Sequence, residues 1–248
     1  MSAVYILWLR ELKRYTRSRT QIIASLAQPL LYLLVLGFGL GPVFRLSGNG
    51  NYLQFMAPGV IAMTVLFASM FSGIGLLWDR QFGFLKETLV APVPRIQIMF
   101  GRTCGSATTA LLQGMLVAIV CVVAGFRPLS LVQIPAAIGF LALTAIVFAA
   151  AGTAIGSSLK DMQGFQMVMN FLVLPLFFLS GALYPLDNLP KALVVLTHID
   201  PMTYGVDGMR AVLINRTHFG ATMDALVLVG AGAVLTVVGA WRFSKIEI

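Results

Sequence analysis

Six long stretches of the chain carry almost no charged side chains: residues 20–41, 55–77, 104–125, 133–158, 164–184 and 221–241. Each holds 21 to 26 residues, enough for a helix rising about 1.5 Å per residue to cross a hydrocarbon core of about 30 Å with some tilt. A helix satisfies its own backbone hydrogen bonds, which lipid cannot do, so each stretch predicts a transmembrane helix. Residues 189–199 are apolar too, but the run is short and Pro185, Pro190 and Pro201 interrupt its surroundings. It predicts short helices at the membrane surface or a re-entrant hairpin. Residues 1–19 follow a different pattern. Tyr5, Trp8, Leu9, Leu12 and Tyr15 fall near one helical face, with Arg10, Lys13, Arg14 and Arg17 on the other side. Aromatic and basic residues next to a span predict an amphipathic helix in the membrane interface, the alternative being a basic tail without regular structure. The expected fold is all-α and integral to the membrane: the interfacial helix 1–19, then a six-span domain over 20–248, with short extracytoplasmic helices before the last span.

Composition agrees with this pattern. Of the 248 residues 58% are hydrophobic and 10% charged, against about 25% charged in soluble domains. The net charge of +8 would point to nucleic acid in a soluble protein. Here the basic residues flank apolar runs, where they anchor spans against anionic lipid, so membrane lipid is the expected partner and nucleic acid is not. Their distribution sets the orientation. With both termini in the cytoplasm, 12 of the 17 Lys and Arg residues fall in inner segments. The outer segments hold Arg45, Arg127, Lys191, Arg210 and Arg216. This places the stretch 78–103 inside and 185–220 outside. The basic start runs into about 22 apolar residues with no clear small-x-small site, so the first span is expected to remain in the mature protein.

Familiar reaction chemistry is missing. There is no GxxxxGK[ST] phosphate loop and no GxSxG nucleophile elbow. His198 and His218 have no ligand spacing, and His198 beside Asp200 reads as a solvated polar pair. Cys104 and Cys121 would lie about 25 Å apart on one helix, too far to pair. No catalytic residue, metal site or cofactor is therefore expected in this chain. The spans hold scarcely an ionisable group, Asp224 being the nearest case, whereas ion-coupled carriers bury such groups at mid-membrane. Gln28, Gln113, Asn170 and Ser180 are the main polar side chains within spans, and they are expected first as hydrogen bonds between helices. Gly152 and Gly156 form a small-xxx-small pair suited to close helix packing, within one subunit or between two. In the inner segment 78–103, charges alternate with Phe82, Phe84 and Leu85 before Pro92 and Pro94 force an extended turn. Arg95 then restarts a helix. Such an element suits docking on a soluble partner, the alternative being an ordinary amphipathic connector.

Four features in order give the chain a family likeness: the basic amphipathic start, KETLVAPVPR at 86–95, PLFFLSGALYPLDNLP at 175–190, and IDPMTYGVDGMRAVL at 199–213. Together they resemble the membrane subunits of type-2 ABC exporters, which include drug, nodulation-factor, teichoic-acid and O-antigen exporters. Asp200 stands where that family more often has Asn. The resemblance implies two permease copies, taken as a homodimer, each on a separate ATP-binding cassette subunit that carries ATP and Mg. It implies a bacterial inner-membrane location and export of an amphipathic or lipid-linked substrate. By the same likeness, Phe82, Phe84, Leu85, Glu87 and Pro92 are the candidates for contact with the ATPase. Gln28, Tyr32, Phe38, Asn170, Phe177, Phe178 and Tyr184 are the candidates for the substrate path. A non-transporting membrane scaffold and an ion-coupled carrier are the rival readings.

Overall fold

A computed structural model describes residues 3–46, 51–84, 93–186 and 190–244. In chain order the helices are α1 (Ala3–Arg17), α2 (Arg19–Leu46), α3 (Tyr52–Phe71), α4 (Ile74–Gln81), α5 (Arg95–Val123), α6 (Ile134–Ser158), α7 (Met162–Leu179), α8 (Lys191–Ile199), α9 (Pro201–Ile214) and α10 (Ala221–Ser244). A single 3-10 turn, Leu131–Gln133, leads into α6, and no strand occurs among the described residues. Six stretches are long and apolar enough to cross a membrane: Arg19–Gly37, Tyr52–Gln81, Arg95–Val123, Leu131–Ser158, Met162–Leu179 and Ala221–Phe243.

The bundle is organised around α3. It packs against α2, α5, α6, α7 and α9, and 72% of its span is buried, against 11% for α2 and 22% for α7 and α10. Met56, Ala57, Val60, Ile61, Met63, Val65 and Leu66 of α3 are sealed in the core. A helix apolar all round belongs in the middle of a bundle, and the peripheral helices leave their outer faces to lipid or to another protein.

The sequence pattern treats 55–77 as one span, but the helix is interrupted at Ser72–Gly73 between α3 and α4. Close packing explains the interruption. A Cβ on Gly73 would strike the backbone of Gly152, and one on Gly152 would strike the backbone of Met70. A Cβ on Gly156 would lie 2.6 Å from the Gly73 carbonyl oxygen. Gly152 and Gly156 therefore serve packing within the subunit, where α6 crosses the α3–α4 joint at backbone contact. A similar groove seats α1. A Cβ on Gly105 of α5 would lie 2.7 Å from the Glu11 Cβ, and the Trp8 indole N–H donates to the Thr108 hydroxyl at 3.0 Å. The amphipathic start is thus a helix laid along α5.

The fifth span ends earlier than 184. The α7 helix stops at Leu179, and Gly181 turns the chain with φ +67, a left-handed conformation that favours glycine. The short run after it forms α8, and the stretch behind Pro201 forms α9, which is packed among α3, α6 and α10. Eleven of the α9 residues are buried, among them Asp207 and Arg210. Arg210 is therefore not a solvated outer charge of the kind the orientation count assumes.

Candidate functional site

Three polar features stand out in this apolar bundle. The first is a cavity of about 650 Å³ bounded by α1, α2, α3, α5 and α7, well within the range of small-molecule sites. Gln28 enters from α2, Thr64 from α3, Gln113 from α5, and Gln166 and Asn170 from α7. The Glu11–Arg14 ion pair, at 2.7 Å, closes one end together with Tyr15. Gln28 and Asn170 are expected from the sequence to bond other helices. Among the described residues no hydrogen bond holds the side-chain amides of Gln28, Gln113, Gln166 or Asn170; they line the cavity instead. Ser180 also departs from expectation, because its hydroxyl donates to the Phe177 carbonyl of its own helix at 2.7 Å.

An aromatic layer adjoins the cavity. Phe177 is 1% exposed and packs edge-on between Tyr32, at 5.9 Å between ring centres, and Phe67, at 6.3 Å. Phe67 also lines the cavity. Of the path residues expected from sequence, Gln28 and Asn170 therefore share the cavity, with Tyr32 and Phe177 beside it. Phe178 touches Phe177 but is 48% exposed. Tyr184 lies in the turn after α7, its hydroxyl donating to the Phe178 carbonyl at 2.6 Å, and burial raises its pKa. The Phe38 side chain lies outside the described residues. Gln166, Thr64 and Gln113 were not marked as path residues. The spacing of Gln166 and Asn170, one helical turn apart in an otherwise apolar span, is the signal that would have found the first of them.

The second feature is a buried ion cluster on Asp79 of α4. Arg10 of α1 donates to both Asp79 oxygens, at 2.6 and 2.7 Å, and Arg102 of α5 donates to Oδ2. Asp79 and Arg102 are each 5% exposed. One carboxylate thus ties three helices together within the 78–103 segment, near its two ends. Beyond it Phe82 and Phe84 are exposed, and Phe82 leans on Trp78 at 5.9 Å. Leu85, Glu87 and Pro92 lie outside the described residues.

The third lies at the opposite end of the bundle. Arg210 of α9 is buried, with its guanidinium 3.8 Å above the Phe55 ring. It donates to the carbonyls of Gly181 and Ala182 at 2.9 Å and of Phe55 at 3.3 Å. Burial lowers its pKa to about 10, which leaves it a cation at neutral pH. Asp207 accepts from the backbone N–H groups of His218 and Phe219, at 2.9 and 2.8 Å, and so holds the chain that enters α10. Asp224 on α10 is fully buried and faces the Asp207 carboxyl.

Asp200, expected as half of a solvated pair, is 3% exposed and caps α9 by accepting from the Met202 N–H at 2.8 Å. Its Oδ2 has no partner, and burial pushes the carboxyl up to about 7. Because the folded-state value is raised, the proton stabilises the fold fully below about pH 4, and this contribution is lost as pH rises through about 7. Asn caps as well as Asp does, without the buried charge. Asp200→Asn is therefore expected to raise stability at pH 8 by about 1–3 kcal/mol and to change nothing near pH 4. Thermal unfolding of both proteins at the two pH values checks this; equal midpoints at pH 8 would contradict it.

An all-helical bundle with six stretches able to cross a membrane and a polar cavity among them defines a multi-pass membrane protein. Comparison with known proteins makes the assignment specific. The family model for the ABC-2 type transporter matches residues 2–214, and the chain belongs to that family. Curated relatives bear this out. The chain is 30% identical to the inner membrane transport permease YadH of Escherichia coli K12 over 213 residues, 84% of this chain and 81% of that protein. It is 27% identical to nodulation protein J of Rhizobium leguminosarum bv. trifolii over 237 residues, 94% and 86% of the two chains. It is 31% identical to the putative transport permease ycf38 of Cyanophora paradoxa over 211 residues, 84% and 72% of the two.

Proposed function

We propose that the chain is the permease subunit of an ATP-driven exporter. It works as a homodimer with a separate ATP-binding cassette subunit that binds ATP and Mg, and it moves an amphipathic or lipid-linked substrate outward across a bacterial inner membrane. Both termini face the cytoplasm. The observation that carries this reading is the Asp79 cluster, which joins the amphipathic helix α1, the end of span two and the start of span three at the segment where an ATPase would dock. Phe82 and Phe84, exposed just beyond it, are anchors of the size a groove on such a partner would take, with Leu85, Glu87 and Pro92 completing the contact. A push on this segment reaches α1 and α5, both of which border the cavity. The second copy faces α2 and α7, so that the cavity with its exposed amides Gln28, Gln166 and Asn170 lies between the two copies and away from bulk lipid.

The test is co-purification with a co-expressed ATP-binding cassette ATPase, followed by ATPase measurement in nanodiscs. Phe84→Ala and Glu87→Ala are expected to leave the complex assembled and to abolish substrate-stimulated hydrolysis. A complex that never forms, or an ATPase rate indifferent to both changes, overturns the proposal. One observation favours a second reading, an ion-coupled carrier: the buried Asp224 facing Asp207. That reading requires Asp224→Asn to abolish transport driven by a proton gradient without ATP.

A further inference from the structure

We propose that the 650 Å³ cavity selects the uncharged, hydrogen-bonding headgroup of an amphipathic molecule; the proposal rests on the exporter reading above, in which this cavity is part of the substrate path. The lining chooses the class. Gln28, Gln113, Gln166 and Asn170 each present an amide that both donates and accepts, with no net charge. The Thr64 hydroxyl is turned back to the Val60 carbonyl at 2.9 Å and the Tyr15 hydroxyl faces Ser25, so the free polar capacity of the wall lies in the amides. The walls therefore offer a set of unused donors and acceptors inside an apolar bundle.

Each alternative class fails on a named feature. An anionic headgroup would give up its hydration without a net positive charge to meet it, because Glu11 at 2.7 Å already neutralises Arg14, the cation on the described wall. A cationic headgroup meets the same obstacle, since Glu11, the only carboxylate on the wall among the described residues, is engaged in that pair. A wholly apolar molecule would leave these amides without partners. A hydroxyl-rich or amide-rich neutral group meets every one of them. The apolar part of the molecule also has a place. Gln28, Gln166 and Asn170 are exposed, so the cavity is not sealed, and beside Asn170 the α7 face carries Met167, 77% exposed, and Phe171, 84% exposed. The headgroup sits among the amides while its chain lies along this face.

The test uses the full-length chain in lipid nanodiscs and three probes with one twelve-carbon chain: dodecyl maltoside, dodecyl phosphate and dodecyltrimethylammonium. Calorimetric titration below the micelle threshold, corrected against empty nanodiscs, separates saturable binding from partitioning. Dodecyl maltoside is expected to bind saturably, with affinity falling about tenfold in Asn170→Leu, the loss of one hydrogen-bonding group. The charged probes are expected only to partition. Gln113→Glu keeps the side-chain size and adds an anion, and is expected to weaken the maltoside and to create saturable binding of the ammonium probe. If a charged probe binds the unaltered chain saturably and its binding depends on Asn170, the cavity remains the path and the neutral class is wrong. If no probe responds to either substitution, the cavity is not a binding site and the path reading falls with the proposal.

Discussion

Replacing Asp79 by Ala is expected to lower the stability of the permease by about 3–5 kcal/mol, the effect of removing one partner from a buried ion cluster. The size follows from what is left behind. Arg102 is 5% exposed, and its Nε already lacks an acceptor among the described residues. Without Asp79 its guanidinium is a buried charge with neither water nor a carboxylate. Arg10, about a third exposed along its side chain, can turn to solvent and contributes little to the loss. The midpoint of thermal unfolding in one detergent is expected to fall by about 10 °C. Removing both buried charges, Asp79→Leu with Arg102→Met, should recover most of that loss, because an apolar pair of similar volume is often as stable as the ions it replaces. The double variant then separates structure from coupling. It should fold, yet lose the link between α1, α4 and α5, so that substrate-stimulated ATPase activity falls while assembly persists. A single Asp79→Ala variant with an unchanged midpoint would show that the cluster does not hold these helices together.

The spans were legible in the sequence because hydropathy acts over about 20 residues, and a charge-free run of that length has few other fates. Finer features were not legible, for identifiable reasons. The joint at Ser72–Gly73 is invisible to hydropathy, since Phe71 through Leu77 are as apolar as what precedes them; it depends on where Gly152 of another helix comes to lie. The turn at Gly181 shortens span five by conformation, not by polarity. The α9 helix was misread in one respect. Asp200 and Arg210 read as solvated, but both are buried; backbone carbonyls meet the cost for Arg210, while Asp200 keeps one oxygen without a partner. The cavity was half legible. The amides of Gln28 and Asn170 are conspicuous in apolar spans, but whether they bond each other, a neighbouring helix or a common space depends on helix rotation, which one sequence does not encode in a readable way.

The second large effect is expected at the other end of the bundle, at Arg210. Its guanidinium joins three places that are distant in sequence: the start of α3 at Phe55, the turn after α7 at Gly181 and Ala182, and α9 itself. Arg210→Ala removes the donors to three carbonyls at once and the cation above the Phe55 ring. At about 1–3 kcal/mol for each buried group left unpaired, only part of which water can restore, a loss of about 3–5 kcal/mol is expected. Lysine should rescue little. It keeps the charge, but its ammonium is a single point without the planar fork that spans two adjacent carbonyls while stacking on an aromatic face. The location gives the prediction a functional edge. The Gly181 turn ends α7, the helix that brings Gln166, Asn170 and Phe177 to the cavity, so loosening it frees that wall at its far end. Limited proteolysis at the turn and thermal unfolding read the structural effect; Arg210→Lys falling near Arg210→Ala, and far below the unaltered chain, supports it. Stability and turn protection equal to the unaltered chain in Arg210→Lys would mean that charge alone suffices, and that the fork across Gly181 and Ala182 contributes nothing.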